Sequence, residues 1–182
     1  MLWIVWFMVV FSYYGMFLWL PSVMIMKGFV LIKSFQYVLI MTLAQLPGYF
    51  SAAWLIERAG RKFVLATYLL GTAASALVFG NAETLPMLLI FGALLSFFNL
   101  GAWGALYAYS PEQYPTSIRA TGAGMAAAVG RIGGIFGPLL VGVLLTAGYE
   151  FGIIFGIFSV AIVIGVLAVV FLGTETKQLE LE

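Results

Sequence analysis

The sequence of 182 residues has no cysteine, no histidine and no aspartate, and only 8% of its residues are charged. Without cysteine there is neither a disulfide nor a thiolate ligand, and without histidine the commonest metal ligand and general base are absent. All seven acidic residues are glutamates beside predicted loops or at the chain end, so no buried carboxylate pair is available for acid–base chemistry or metal binding. We therefore expect no enzymatic activity, no cofactor and no metal site.

Apolar residues make up most of the chain. The residues AVILMFWYC account for 64% of it, the mean hydropathy is +1.12 and the net charge is only +1. A soluble domain is about 45–50% apolar, and a protein that binds nucleic acid carries a clear basic excess. The composition therefore predicts an integral membrane protein that contacts the lipid bilayer and has no nucleic-acid partner.

Charged residues divide the sequence into six apolar stretches, each long enough to cross a membrane. About 20 apolar residues in a helix cross roughly 30 Å of hydrocarbon, and the runs are continuously apolar rather than alternating, which favours helices over a barrel. We expect an all-α integral membrane protein with six transmembrane helices in one bundle over residues 1–182. The predicted spans are approximately residues 2–26, 35–56, 63–81, 86–109, 120–146 and 151–172.

Prolines and small residues interrupt several of these spans. Pro21, Pro47 and Pro138 each remove a backbone hydrogen bond, which predicts kinks or breaks at these positions. A ladder of small residues along the fifth span predicts close helix packing rather than ligand contact. The ladder consists of Gly122, Ala126, Gly130, Gly134 and Gly142.

The distribution of lysine and arginine predicts the orientation, because basic loops stay on the cytoplasmic side. Six spans place both termini on the same side of the membrane. That side would carry Arg58, Arg61, Lys62, Arg119 and Lys177, and the opposite side Lys27 and Lys33. Five basic residues against two predict a multi-pass protein of the plasma membrane with both termini in the cytoplasm.

Arg131 is the one charged residue predicted deep inside a span. It follows Ala120 by eleven residues, which places it roughly 16 Å into the membrane. A charge at that depth costs at least about 2.5–3.5 kcal/mol and needs a polar partner, but no glutamate is expected at the same depth. Because a guanidinium pairs bidentately with a carboxylate, we expect Arg131 to bind a carboxylate-bearing solute. A structural pairing to another polypeptide is the alternative.

Polar and aromatic residues of other spans are candidates to line the same cavity. The fourth span carries a stripe of Ser96, Asn99, Trp103, Tyr107 and Ser110, and the second carries Thr42, Gln45 and Tyr49. Buried amides need a partner and aromatic rings can stack on a flat solute, although aromatic stripes also serve packing alone. The predicted substrate-binding residues are Arg131, Asn99, Gln45, Trp103, Tyr13, Tyr14 and Phe17.

Three segments on the predicted cytoplasmic side carry recognisable motifs. Gly48 followed by Glu57-Arg58-Ala59-Gly60-Arg61-Lys62 matches G-x(n)-[DE]-R-x-G-R-[KR], and Glu112, Pro115 and Arg119 match E-x-x-P-x-x-x-R. Thr174-Glu175-Thr176-Lys177 is similar to P-E-T-K-G, with Gln178 in the glycine position. In this order the motifs resemble those of the major facilitator superfamily, and specifically the C-terminal six-helix half, helices seven to twelve, of a twelve-helix carrier.

A more specific resemblance comes from Tyr114 to Gly122 together with Gly130 to Gly134. These segments look like the sugar-porter-like branch that carries aromatic acids, niacin and organic ions, in which an arginine occupies the position of Arg131. The resemblance implies transport of a small organic solute, such as a niacin-like or aromatic carboxylate, by alternating access.

The resemblance also implies a cytoplasmic gating network that latches the outward-facing state. Its members would be Glu57, Arg58, Arg61, Lys62, Glu112, Arg119 and Glu175. The plain alternative is a solvated loop that follows the positive-inside rule, where exposed ion pairs contribute about 0–1 kcal/mol each.

The sequence is long enough for only half of a twelve-helix carrier, and it does not identify the protein that supplies the other half. Twelve spans need at least about 240 residues in the membrane, so a second half has to come from elsewhere. That half would be a separate N-terminal six-helix half or a second copy of this chain, unless the sequence is a fragment. Two other functions stay open, namely an anion-selective pore with Arg131 at its constriction and a non-transporting membrane partner.

Overall fold

The computed structural model describes residues 1–176, and Lys177, which enters the charge count and the third motif, lies outside the described residues. Within residues 1–176 the secondary structure consists of eight helices and no strand. They are α1 (Leu2–Phe17), α2 (Leu20–Met26), α3 (Leu31–Leu43), α4 (Gln45–Ala59), α5 (Arg61–Gly80), α6 (Leu85–Glu112), α7 (Arg119–Thr146) and α8 (Phe151–Leu172).

Most of these helices are long and apolar enough to cross a membrane. In the described part of the chain, α5, α6, α7 and α8 each qualify alone, and α3 and α4 qualify together as Leu31–Ala59. Helices α1 and α2 make a sixth candidate if the pair, which is bent by 43°, counts as one span. The prediction of an all-α membrane protein is confirmed.

Two prolines account for the breaks between paired helices. Helix α1 ends at Phe17 and α3 ends at Leu43, each four residues before a proline, Pro21 and Pro47. The carbonyl four residues before a proline receives no N–H and meets the proline ring, so the helix stops there. Pro138 behaves differently, because α7 continues through it from Arg119 to Thr146.

The core lies where α1, α5, α6 and α8 pack together. Its largest fully buried side chains include Trp6, Phe79, Tyr109, Phe155 and Phe158. In contrast, the side chains of α3, α4 and α7 are mostly exposed. The helices therefore form a compact group on one side and leave a broad apolar surface on the other.

Glycines allow α7 to approach α1 closely. A Cβ atom at Gly133 would lie 2.6 Å from the Phe7 carbonyl oxygen, and one at Gly130 would lie 3.1 Å from the Trp6 carbonyl oxygen. Two helix backbones approach each other this closely only where the side chains between them are absent. Gly130 of the small-residue ladder therefore serves helix packing, as predicted, and Gly133 does so from outside the ladder.

Candidate functional site

A cavity of about 230 Å³ lies between α1, α4, α6 and α7. Its lining residues are Tyr13, Tyr14, Tyr49, Leu100, Trp103, Tyr107 and Arg131. Four residues predicted to bind substrate, one from α7, one from α6 and two from α1, are therefore brought together. Five of the seven lining side chains are aromatic and one is cationic, which suits a flat anion.

Arg131 enters this cavity from α7 and is exposed. Its Nη1 atom donates a hydrogen bond to the Tyr14 hydroxyl at 3.1 Å. Among the residues that the structure describes, Arg131 forms no ion pair with a carboxylate. A membrane-embedded guanidinium that has only a neutral phenol as partner is suited to bind an anion.

Aromatic rings form one wall of the cavity. The rings of Tyr13 and Trp103 are perpendicular with centroids 4.5 Å apart, and Tyr14 meets Trp103 at 6.1 Å and 84°. Trp103 is buried, so only part of its surface faces the cavity. A third contact joins the rings of Tyr13 and Tyr14. Edge-to-face contacts between aromatic rings are favourable, so these three contacts hold the rings of the wall in place.

Three other predicted residues do not line the cavity. Phe17 packs behind Tyr13 with ring centroids 4.8 Å apart, and the Gln45 side chain lies within hydrogen-bonding reach of the Tyr13 hydroxyl. Asn99 is 1% exposed and does not line the cavity, although Trp103, four residues further along the same helix, does. Its amide nitrogen and oxygen have no hydrogen-bond partner in residues 1–176.

Three cavity residues were not among the predicted substrate-binding residues. Tyr49 and Tyr107 belong to the polar stripes of the second and fourth predicted spans, so their spacing offered a signal. Leu100 offered none, because nothing in a continuously apolar span distinguishes a leucine at a cavity from one facing lipid.

A charge cluster at the C-terminal end of α6 centres on Arg61. Its Nη2 atom lies 2.8 Å from Glu57 Oε1, and its Nε atom lies 3.3 Å from Glu112 Oε2. Its backbone N–H donates to Glu175 Oε1 at 3.0 Å, so a residue that follows α8 binds the first turn of α5. Glycine is required before Arg61, because Gly60 has a φ of +97° and a Cβ atom there would lie 2.7 Å from Glu175 Cδ.

Further hydrogen bonds hold the segment after α8 against α5 and α6. Lys62 Nζ donates to the Gly173 carbonyl at 3.0 Å, and the Tyr109 hydroxyl donates to the Thr174 carbonyl at 2.9 Å. The Thr176 hydroxyl bonds to Glu112. These contacts fix residues 173–176 in place.

The other two residues of the predicted network have different surroundings. The Arg58 guanidinium lies 4.1 Å from the centroid of the Trp54 ring, which is a cation–π contact. Arg119 begins α7, and its Nε atom is buried without a hydrogen-bond partner among the described residues. Five of the seven predicted residues thus contact one another or the segment after α8.

Lys27, which follows α2, contacts the chain segments at Ala82 and at Phe151. This contact lies beyond the end of α5 that is opposite to Arg61. The Lys27 Nζ atom donates to the Ala82 carbonyl at 3.1 Å and lies 5.2 Å from the centroid of the Phe151 ring. Burial lowers the pKa of the Lys27 ammonium, and the negative charge of Glu83 partly opposes this shift.

Sequence relatives of this chain are transport proteins. It is 69% identical over its whole length to the Bacillus subtilis protein named "Putative niacin/nicotinamide transporter NiaP", of which it covers 46%. It is 54% identical to the "Niacin transporter NiaP" of Acinetobacter baylyi, of which it covers 42%. The chain therefore spans less than half the length of these relatives.

Solved structures show the same fold at low sequence identity. An auto-inhibited peptide transporter of the POT family aligns with 99% of this chain at a TM-score of 0.81 and 16% identity, over 39% of its own length. The proton:xylose symporter XylE aligns with 97% of this chain at a TM-score of 0.73 and 18% identity, over 40% of its own length.

The family assignment agrees with the helices and with these relatives. Several apolar helices of membrane length and relatives that are transporters make this a multi-pass membrane protein. The sequence profile of the Major Facilitator Superfamily matches residues 2–181. The chain belongs to the Major Facilitator Superfamily.

Proposed function

We propose that this chain is the C-terminal half of a secondary carrier for a small aromatic carboxylate of the niacin type, which it moves by alternating access. The observation that carries the proposal is Arg131, which is placed in a membrane span, faces an aromatic cavity and pairs with no carboxylate of residues 1–176. The names of the two relatives support a niacin-like substrate.

Arg131 and Tyr14 would bind the carboxylate of the substrate together. The hydrogen bond to Tyr14 uses one N–H of Nη1, so the remaining N–H groups of the guanidinium are available for a bidentate contact. The Tyr14 oxygen accepts from Arg131, and its own O–H is free to donate to the same carboxylate. A carboxylate therefore satisfies both groups, whereas a carboxamide offers the guanidinium only one acceptor oxygen.

The aromatic wall would bind the ring of the substrate. Trp103 and Tyr13 are held in fixed orientations by their mutual contact at 4.5 Å, so stacking a flat ring costs little side-chain entropy. A pyridine or benzene ring stacked on this wall directs its carboxylate toward Arg131. The same cavity thereby accounts for both the aromatic and the anionic character of the substrate.

The six spans would form one bundle over residues 1–182 in the plasma membrane, with both termini in the cytoplasm. A second six-helix half would cover α3, α4 and α7. Only 17% of the Leu31–Ala59 window and 22% of the α7 window are buried, compared with 44–56% for α5, α6 and α8. The chain also covers less than half of its relatives, and the cavity is open on this side.

The charge cluster around Arg61 would latch the outward-facing state from the cytoplasmic side. The Arg61 guanidinium contacts Glu57 and Glu112, and the Arg61 backbone N–H donates to Glu175, so this one residue connects the ends of α4 and α6 with the segment after α8. A second half that docks against this cluster would separate from it when the cavity opens inward. Arg58, Lys62 and Arg119 would add positive charge to the same surface.

Ligand binding to the chain in lipid nanodiscs tests the proposed substrate site. We expect saturable binding of radiolabelled nicotinate, and we expect Arg131→Lys to weaken it about 10- to 100-fold because the planar fork is lost while the charge is kept. Nicotinamide is the matched ligand because it has nearly the same shape without the charge, and Arg131→Lys should change its binding little. Arg58→Lys, outside the cavity, is the matched control variant.

The outcome that contradicts the proposal is equal nicotinate affinity in wild type and Arg131→Lys, which would make Arg131 structural. Transport is tested separately, by co-expression of the chain with the N-terminal half of the Bacillus subtilis relative and uptake of nicotinate into vesicles. Saturable uptake that Arg131→Ala abolishes supports a carrier. Flux that rises linearly with concentration and follows voltage indicates a pore instead.

A further inference from the structure

Trp6 lies outside the cavity, but it contacts two of the elements that form it. Its side chain is 1% exposed, and it is among the largest fully buried side chains of the core. It belongs to α1 two turns before Tyr13, and it faces α6 and α7 rather than the cavity. A residue in this position cannot touch a substrate, but it can control where the cavity residues stand.

A buried hydrogen-bond chain fixes the orientation of the Trp6 ring. The indole Nε1 donates to Ser110 Oγ at 2.8 Å, and the Ser110 hydroxyl donates to the Leu106 carbonyl at 2.7 Å. The direction of both bonds is set, because the indole is only a donor and a carbonyl is only an acceptor. The ring is therefore tied to α6 at the turn that carries Tyr107.

The Trp6 ring supports Tyr107 from the protein side. The two rings meet edge to face at 85° with centroids 5.0 Å apart. Tyr107 lines the cavity and is 51% exposed, so half of its surface has no packing partner within the described chain. Contact with Trp6 restricts the Tyr107 ring on its buried side and leaves its other side to the cavity.

The backbone of Trp6 sets the distance to α7 next to Arg131. A Cβ atom at Gly130 would lie 3.1 Å from the Trp6 carbonyl oxygen, so α7 already approaches α1 as closely as glycine allows. Gly130 immediately precedes Arg131. The ring of Trp6 therefore locates the cavity residue Tyr107, whereas the close approach of α7 at this point involves only the backbone of residue 6.

We propose that Trp6, held by Ser110, is a positioning residue that keeps Tyr107 in the orientation that binds substrate. The inference rests on the proposed function, because that function makes the cavity a binding site. A positioning role can be distinguished from a purely structural one. Removal of the Ser110 hydroxyl should change the orientation of Tyr107 while the fold is retained.

Fluorine NMR on Tyr107 tests this role without any ligand. 3-Fluorotyrosine at position 107 should give one narrow resonance in the wild-type chain in nanodiscs, because the Trp6 ring restricts it. Ser110→Ala removes the acceptor of the indole but keeps the Trp6 ring, and it should shift and broaden the resonance. Ser110→Thr keeps a hydroxyl and should restore it.

Trp19→Phe is the matched control. Trp19 also donates from its indole, to the Pro138 carbonyl at 3.2 Å, but it does not line the cavity, so its substitution should leave the resonance unchanged. Circular dichroism checks that each variant is folded. The proposal is overturned if Ser110→Ala leaves the Tyr107 resonance as it is in the wild type.

Titration with nicotinate on the same samples separates the two proposals. We expect nicotinate to move the Tyr107 resonance in the wild type, and we expect Ser110→Ala to raise its dissociation constant about three- to tenfold, the effect of one lost hydrogen bond. If nicotinate moves no resonance even in the wild type, the proposed function is contradicted. The ligand-free spectra of Ser110→Ala and Ser110→Thr still decide whether Trp6 positions Tyr107.

Discussion

Arg131 of α7 donates a hydrogen bond to the hydroxyl of Tyr14 of α1 at 3.1 Å, across the close crossing of these two helices. The guanidinium is long and flexible, so this bond limits the directions in which the charge can point. Within residues 1–176 the Arg131 side chain makes no other hydrogen bond. The pair therefore connects the anchoring charge to the aromatic wall.

Tyr14→Phe should weaken nicotinate binding about three- to tenfold. The substitution removes the acceptor of Arg131 and one donor to the substrate carboxylate but keeps the ring that faces Trp103. Tyr37→Phe is the control, since Tyr37 packs against Phe29 away from the cavity. Isothermal titration in nanodiscs measures both, and equal affinities for wild type and Tyr14→Phe would contradict a role for the hydroxyl.

Gly133→Ala should destabilise the protein, by about 1–3 kcal/mol. Its Cβ atom would lie 2.6 Å from the Phe7 carbonyl, so α1 and α7 would have to move apart. Gly124→Ala in the same helix is the matched control, because a Cβ atom there meets nothing within 4 Å and alanine favours helix. Thermal unfolding in detergent compares the two, and equal midpoints would show that the crossing tolerates a side chain.

Gly60→Ala should cost more stability than Gly148→Ala. Both glycines have positive φ, +97° and +87°, so alanine strains the backbone at each by about 1–2 kcal/mol. Only at Gly60 does the new Cβ atom meet another group, the Glu175 carboxylate. The additional loss of stability at Gly60 should disappear when Gly60→Ala is combined with Glu175→Ala. A double-mutant cycle that gives no coupling would contradict the assigned contact.

Lys27 should lose its proton at a lower pH than a free lysine. Burial disfavours its charged form more than Glu83 favours it, so the folded chain binds fewer protons than the unfolded chain between the lowered pKa and about 10.5. Stability should therefore rise with pH through this window, because the unfavourable burial of the charge is present below it and is removed above it.

Amine labelling followed by mass spectrometry measures this shift. The labelling midpoint of Lys27 should lie below that of a short lysine peptide, and Glu83→Gln should lower it further by removing the opposing charge. A midpoint at or above that of the peptide would contradict the assignment.

The sequence predicts the helices better than it predicts the directions in which they face. Charges and prolines mark the helix ends, since both are costly inside a span, and a deep arginine marks a cavity. The sequence predicts that Arg131, Trp103, Tyr13 and Tyr14 share a cavity, and the structure brings these four together, while their contact with substrate stays a prediction. The fold and the family resemblance are likewise confirmed.

Helix rotation is what the sequence does not reveal. Every span is apolar on all sides, so nothing in the sequence shows that Leu100 lines the cavity while its neighbour Asn99 is buried away from it. The rotations are set by close contacts such as Gly130 on the Trp6 carbonyl, which join residues far apart in the chain. The function of Trp6 depends on the same contacts and is equally hidden in the sequence.

The contact between the Arg61 amide and Glu175 has a consequence for biosynthesis. The two residues are 114 positions apart, so α5 enters the membrane long before the carboxylate that completes its first turn has been translated. At usual elongation rates the delay is on the order of ten seconds. Until then the first N–H of α5 lacks this carboxylate acceptor, so the N-terminal turn of α5 is completed only after the segment that follows α8 has been synthesised.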